Sequence, residues 1–89
     1  MIQQDIEIIN KLGLHARAAA KLVAAAAHFS SSIQIGKDGQ LVDAKSIMSV
    51  MLLAASKGTI LTVEVSGSDE QEAWRAVETL IQNRFDEAE

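Results

Sequence analysis

The chain has no cysteine, no excess of basic residues and no long apolar run. Without cysteine there can be no disulfide, thiolate metal ligand or cysteine nucleophile, which is compatible with a reducing, cytoplasmic location. A formal net charge of -4 argues against general nucleic-acid binding, which draws its affinity from neutralising phosphates. It suits a protein partner with a basic docking face. The apolar stretches are too short to span a membrane, so no membrane insertion is expected. Met1-Ile2-Gln3-Gln4-Asp5 lacks the basic and apolar regions of a signal peptide. Internal repeats and low-complexity linkers are also missing. What remains is 89 residues with 48% apolar and 22% charged side chains. That composition reads as globular, and residues 1–89 suffice for one small domain without metal or disulfide staples.

The informative stretch is Asn10-Lys11-Leu12-Gly13-Leu14-His15-Ala16-Arg17-Ala18-Ala19-Ala20-Lys21. A strand-like segment stops at Asn10, a glycine turn follows, and an alanine-rich helix is predicted from Ala16. The first N–H groups of a helix have no partner within it, and they lie at the positive end of its dipole. His15 therefore sits at a ready anion site. A neutral imidazole can attack an electrophile there, and Arg17 adds a planar fork of donors suited to phosphate oxygens. Taken singly, His15 reads as a capping or packing residue and Arg17 as a solvated cation. Taken together with the glycine turn, they point to a histidine that becomes phosphorylated, its phosphoryl oxygens held by Arg17 and the N–H groups of Ala16 to Ala18.

Elsewhere the sequence predicts a strand over 2–9 with Ile6 and Ile8 inward. The first helix is predicted over 16–28, with Ala19, Leu22, Val23 and Ala26 on its core side. His28, at its far end, would lie roughly 20 Å from His15, so the two cannot share a metal ion. Ile33-Gln34-Ile35 reads as a second strand, Asp38-Gly39 as a hairpin turn, and 40–43 as a short third strand. A second helix is predicted over 45–55, capped by Ser46 and terminated near Gly58, with Ile47, Val50, Leu53 and Ala54 as its stripe. Met48, Met51 and Leu52 fall off that stripe. They are either simply buried or an exposed, adaptable docking patch. Residues 59–66 form the clearest strand. Ser68-Asp69-Glu70-Gln71 reads as a capping box opening a helix to about Arg84, with Ala73, Val77, Leu80 and Ile81 inward and Trp74 packed beside them. Asp86-Glu87-Ala88-Glu89 reads as a solvated tail.

Three blocks of this sequence resemble one family. Gly13-Leu14-His15-Ala16-Arg17, Asp43-Ala44-Lys45-Ser46-Ile47-Met48-Ser49-Val50-Met51 and Ala55-Ser56-Lys57-Gly58-Thr59 are similar, in order and spacing, to the motifs of the histidine-containing phosphocarriers (HPr) of the bacterial phosphotransferase system. The match runs from about Ile2 to Phe85, and two segments, Asn10–Gly13 and Asn83–Glu87, look more like the nitrogen-related branch (NPr). The resemblance implies an α+β open-faced β-sandwich, βαββαβα. Its four-stranded antiparallel sheet has the order 1-4-2-3, with three helices on one face. It implies a monomeric phosphoryl carrier that needs no cofactor and is no enzyme in its own right. Such a carrier takes the group from enzyme I onto His15 and passes it to a IIA-type protein. Partner contacts carry over to Ala20, Ile47, Met48, Met51 and Leu52, and regulatory phosphorylation by an HPr kinase/phosphorylase carries over to Ser46. Most relatives have proline at the position of Ala18, so this chain lacks that rigidity and gains an N–H. The alternatives are a docking module of the nitrogen-related system acting by binding alone, and a small hydrolase, for which no acid partner or nucleophile elbow is found.

Overall fold

Seven regular elements and a final turn follow one another in the computed structural model, which describes residues 1–89. They are β1 (Ile2–Glu7), α1 (Ala16–Ala26), β2 (Ser32–Lys37), β3 (Gln40–Asp43), α2 (Ile47–Leu52), β4 (Ile60–Ser66) and α3 (Glu70–Gln82), then a 3₁₀ turn at Arg84–Asp86. The strands form one antiparallel sheet in the order β1-β4-β2-β3. Ile2 opposes Val65 and Ile6 opposes Leu61 across β1 and β4, while Ile33 opposes Val65 across β2 and β4. Period-two alternation sends Ile33, Ile35, Leu61, Val63 and Val65 to one face, where all are buried. The helices cover that face with Ala18, Ala19, Leu22, Ala26, Val50, Ala73, Val77 and Ile81. The small alanines of α1 let it pack closely against α2 and α3. This is the open-faced βαββαβα sandwich that the resemblance implies.

The hairpin between β2 and β3 is the tight one that Asp-Gly predicts. Lys37 opposes Gln40, and Asp38 and Gly39 have φ of 55° and 84°, a two-residue turn with both central residues left-handed. Trp74 packs half-buried against the core. No helix is long and apolar enough to cross a membrane.

Several expectations need correction. The first strand ends at Glu7 rather than Ile9, although Ile8 still exchanges hydrogen bonds with the lead-in to β4, at Gly58 N–H (2.7 Å) and Thr59 carbonyl (2.9 Å). Gly58 thus belongs to the turn before β4 instead of ending α2. The first helix stops at Ala26, where the N–H groups of His28 and Phe29 tighten onto the carbonyls of Ala25 and Ala26.

The second helix is six residues long, not eleven. Its end tightens through bonds from Leu53 to Val50 and from Ala54 to Met51. Ala54 then turns left-handed (φ 50°) and exposed instead of joining the core stripe. The early stop brings the Ala55 carbonyl within 2.8 Å of Leu14 N–H. Ile47, expected inward, is 40% exposed.

At α3, Glu70 reaches back to Gly67 N–H (3.1 Å), but the Asp69 carboxylate turns away from its own helix. It accepts from the N–H groups of Ser30 and Ser31, each at 2.9 Å, and from both hydroxyls. The Ser31 hydroxyl is the first cause that pulls its pKa from 3.8 to about 2, joined by those backbone donors against a smaller cost of burial. Leu80 is half-buried where it was expected in the core.

The largest departure is at the tail. Phe85 is fully buried, in a turn whose three residues, Arg84, Phe85 and Asp86, have φ of 56°, 54° and 63°. Lys21 Nζ donates to the Phe85 carbonyl (2.7 Å) and fixes the reversal. The residues that follow are returned to the start of α1.

Candidate functional site

The β1–α1 connection builds the site. Asn10, fully buried, opens the turn three residues after β1 and donates from Nδ2 to the Gly13 carbonyl (2.8 Å), while Gly13 N–H donates to the Asn10 carbonyl (3.2 Å). Gly13 needs its left-handed φ of +67° and its lack of a Cβ, which would lie 2.6 Å from the Ala55 carbonyl oxygen. Leu14 is buried and bonded to that same oxygen. The turn is therefore clamped from both sides, and His15 follows it in one fixed position.

His15 is the N-cap residue of α1, with extended φ/ψ of -74° and 178°. Its carbonyl accepts the first helical bond, from Ala19 N–H at 2.8 Å. Its side chain makes no capping bond, so the ring is not used to satisfy the helix end. The N–H groups of Ala16, Arg17 and Ala18 have no acceptor in the protein. Ala16 and Arg17 are exposed, whereas Ala18 is fully buried. The imidazole remains 25% accessible. Its Nε2 bonds to the Glu87 carboxylate, and Nδ1 has no hydrogen bond to the protein.

Arg17 forms no ion pair and lines a cleft with Lys11, Leu12, Lys21, Glu87 and Glu89. Glu87 closes the arrangement. Its second oxygen accepts from Asn10 Nδ2 at 3.0 Å. Burial pushes its pKa up, but the hydrogen bonds from Asn10 and His15, together with the charges of His15 and Arg17, outweigh that and hold it below the usual glutamate value. An accessible nucleophile, unpaired amides and a free guanidinium thus share one surface. The set suits a transient phosphoryl group. No three His, Asp or Glu side chains converge to hold a metal.

A family model described as the phosphorylation site of the phosphotransferase-system HPr component matches residues 2–83. The chain belongs to the HPr family. It is 56% identical over 89 residues to the phosphocarrier protein HPr of Cupriavidus necator, with all of both chains covered. It is 51% identical to that of Neisseria meningitidis serogroup A, again over the whole of both. Among solved structures, HPr from Thermoanaerobacter tengcongensis superposes with a TM-score of 0.96 at 46% identity, covering 100% of each chain. The coarse function follows with the family: an HPr phosphocarrier of the phosphotransferase system, which carries a group and is not a catalyst in its own right.

The other expected residues lie around His15 or on α2. Ala20 is exposed on α1. Met48, Met51 and Leu52 are 70%, 43% and 81% exposed, so the apolar surplus of α2 lies at the surface rather than in the core. Ser46 is the N-cap of α2, its hydroxyl accepting from Ser49 N–H at 3.4 Å. Sequence reasoning missed Glu87, Asn10 and the exposed Leu12. The available hint was Phe85, an aromatic placed after the end of α3, since burying it must fold the following residues back onto the protein.

Proposed function

We propose that His15 is the carrier atom's residue. It takes a phosphoryl group from enzyme I and gives it up to a IIA-type protein, and residues 1–89 act as one phosphocarrier domain. The observation that carries this reading is a ring that caps nothing, stays accessible, and stands beside unpaired amides at the N-terminus of α1. The Nδ1 lone pair forms the new N–P bond, while the bond from phosphorus to the donor breaks and leaves its electron pair on the donor. The helix terminus favours the resulting anion by about 0.3–1 kcal/mol, and up to ~2 when partly buried. This is enough to hold the group and too little to trap it. Arg17 supplies the mobile counter-charge. Exposed Met48, Met51 and Leu52, with Ile47 and Ala20, provide a surface adaptable enough for both a donor and an acceptor protein.

Ser46 supports a regulatory role. A phosphate on it adds about -1.5 to -2 charge next to that docking surface, which repels acidic partner groups. Incubation with enzyme I and labelled phosphoenolpyruvate tests the main reading. Acid-labile label on His15, lost in His15→Ala, is expected, and a chain that takes up no label would refute it. For Ser46, Ser46→Asp is expected to slow His15 phosphorylation, and unchanged kinetics would remove the regulatory role.

A further inference from the structure

The carrier reading leaves Glu87 unexplained. It lies 72 positions from His15 in sequence, yet its Oε2 bonds the ring's Nε2 and its Oε1 accepts from Asn10. We infer that Glu87 is a positioning residue for His15, holding the ring proton on Nε2 so that Nδ1 keeps the lone pair. This rests on the carrier reading for its purpose, but not for its geometry.

The chemistry is one-sided. A neutral imidazole has one N–H and one lone pair, and the bond that one nitrogen makes decides which is which. An ionised carboxylate only accepts, so a ring bonded to it through Nε2 must place its proton there. Glu87 is ionised at neutral pH, because the donors and positive charges around it outweigh its burial. The remaining charged groups of the cleft are Lys11, Arg17, Lys21, Asp86 and Glu89. Lys11 pairs with Glu89 at 3.3 Å and Lys21 lies 3.8 Å from Asp86, so neither of those carboxylates is the one on His15.

The position of Glu87 is built into the fold. Asn10 is fully buried, and both of its Nδ2 contacts, Gly13 carbonyl and Glu87 Oε1, are acceptors. That fixes which end of the amide is the nitrogen, and Asn10 Oδ1 is left without a partner. Asn10 thus ties the carboxylate to the same turn that sets His15. Burial of Phe85 and the bond from Lys21 to its carbonyl hold the other end of the segment.

In the transfer itself, a phosphoimidazole donor gives up phosphorus to Nδ1 and keeps the electron pair of its broken P–N bond. His15 becomes an Nδ1-phosphoimidazolium that still carries its proton on Nε2, and Glu87 faces the positive charge that the ring has gained. Discharge to an acceptor imidazole runs the same steps backwards, and no proton need leave Nε2 in either direction.

The test is ¹⁵N NMR of the His15 ring in the full chain, in the unaltered protein, Glu87→Gln and Glu87→Asp, beside the rate of phosphorylation by enzyme I. In the unaltered protein the neutral ring is expected as the Nε2–H form. Glu87→Gln is expected to lower the ratio of Nε2–H to Nδ1–H forms about tenfold, as the loss of a charged hydrogen-bond acceptor implies. The phosphorylation rate should fall by less than that factor, because the Nε2–H form can stay in the majority, and far less than the roughly 10⁴-fold of a fully buried triad carboxylate because this ring is partly open to water. Glu87→Asp should recover part of both. A neutral ring with its proton on Nδ1 in the unaltered protein overturns the assignment. So does an unchanged ratio in Glu87→Gln while contacts of the Phe85 ring show the segment still seated. A protein with the expected tautomer that accepts no phosphoryl group would refute the carrier reading and leave the tautomer assignment standing.

Discussion

Gly13→Ala should be the most damaging single-methyl substitution near the site. The added Cβ would lie 2.6 Å from the Ala55 carbonyl oxygen and 2.8 Å from Ser56 Cα, both of them backbone. Neither neighbour can swing aside as a side-chain tip would. Moving the turn outward would instead stretch the Leu14 N–H bond to that same Ala55 oxygen, now 2.8 Å. An L-residue at φ +67° costs roughly 1–2 kcal/mol on its own. Overpacking against fixed neighbours adds about 1–3 kcal/mol, for a total of about 2–5 kcal/mol, a large part of a small domain's stability. Gly39→Ala is the internal control, because Gly39 has φ +84° and nothing within 4 Å of its Cβ position. That variant should lose only the conformational part. Urea titrations of both, compared by midpoint at equal slope, read the difference directly. If Gly13→Ala cost no more than Gly39→Ala, the clamp on the histidine turn would be an illusion.

Four further outcomes are expected. Ala18→Pro should raise stability by about 0.5–1 kcal/mol in urea, since proline suits a first helical turn and the N–H it removes has no partner; a loss would show that its buried methyl leaves no room for the ring. Asp69→Asn should flatten the acid side of the stability curve. The native carboxylate, at about 2 against an ordinary 3.8, stays ionised while the unfolded one takes up a proton. Its stabilisation is therefore full above pH 4 and fades between about 4 and 2; an acid limb of the same steepness in wild type and variant would contradict this. Ser46→Ala should cost about 0.5–1 kcal/mol, at the low end for an N-cap because its hydrogen bond is long at 3.4 Å; thermal melts check it. Arg17→Lys keeps the charge but loses the planar fork. It should slow transfer to His15 several-fold in a labelled-phosphate assay without altering the melt, and full activity would exclude a fork.

The strands and the first and third helices were legible because their apolar spacing is local: Leu61, Val63 and Val65 alternate, and Ala73, Val77 and Ile81 recur on one helical face. The hairpin was legible because Asp38-Gly39 is a local backbone preference. The length of α2 was not, since its end is set by a carbonyl of Ala55 that must reach Leu14, forty-one residues back in the chain. The candidate site was half legible. His15 and Arg17 could be singled out because a glycine turn, a helix start and a cation fall within the five residues from Gly13 to Arg17. Glu87 lies in an acidic run with no periodicity, and only Phe85 tells which way that run travels. Asn10 looks like any turn asparagine until its two acceptors are placed beside it.

The strand order has a kinetic consequence. β2 and β3 close a two-residue hairpin, whereas β1 pairs with a strand from the far side of the chain, Ile2 meeting Val65. Bringing such distant segments together is entropically slow, so β1 should dock late in folding. It is also an outer strand, bonded on one side only. Transient detachment of that edge, with the remaining three strands intact, would release the turn that seats the imidazole and silence phosphate exchange. The opening and closing of β1, read by amide hydrogen exchange along the strand, would then set the tempo at which the carrier loses and regains competence.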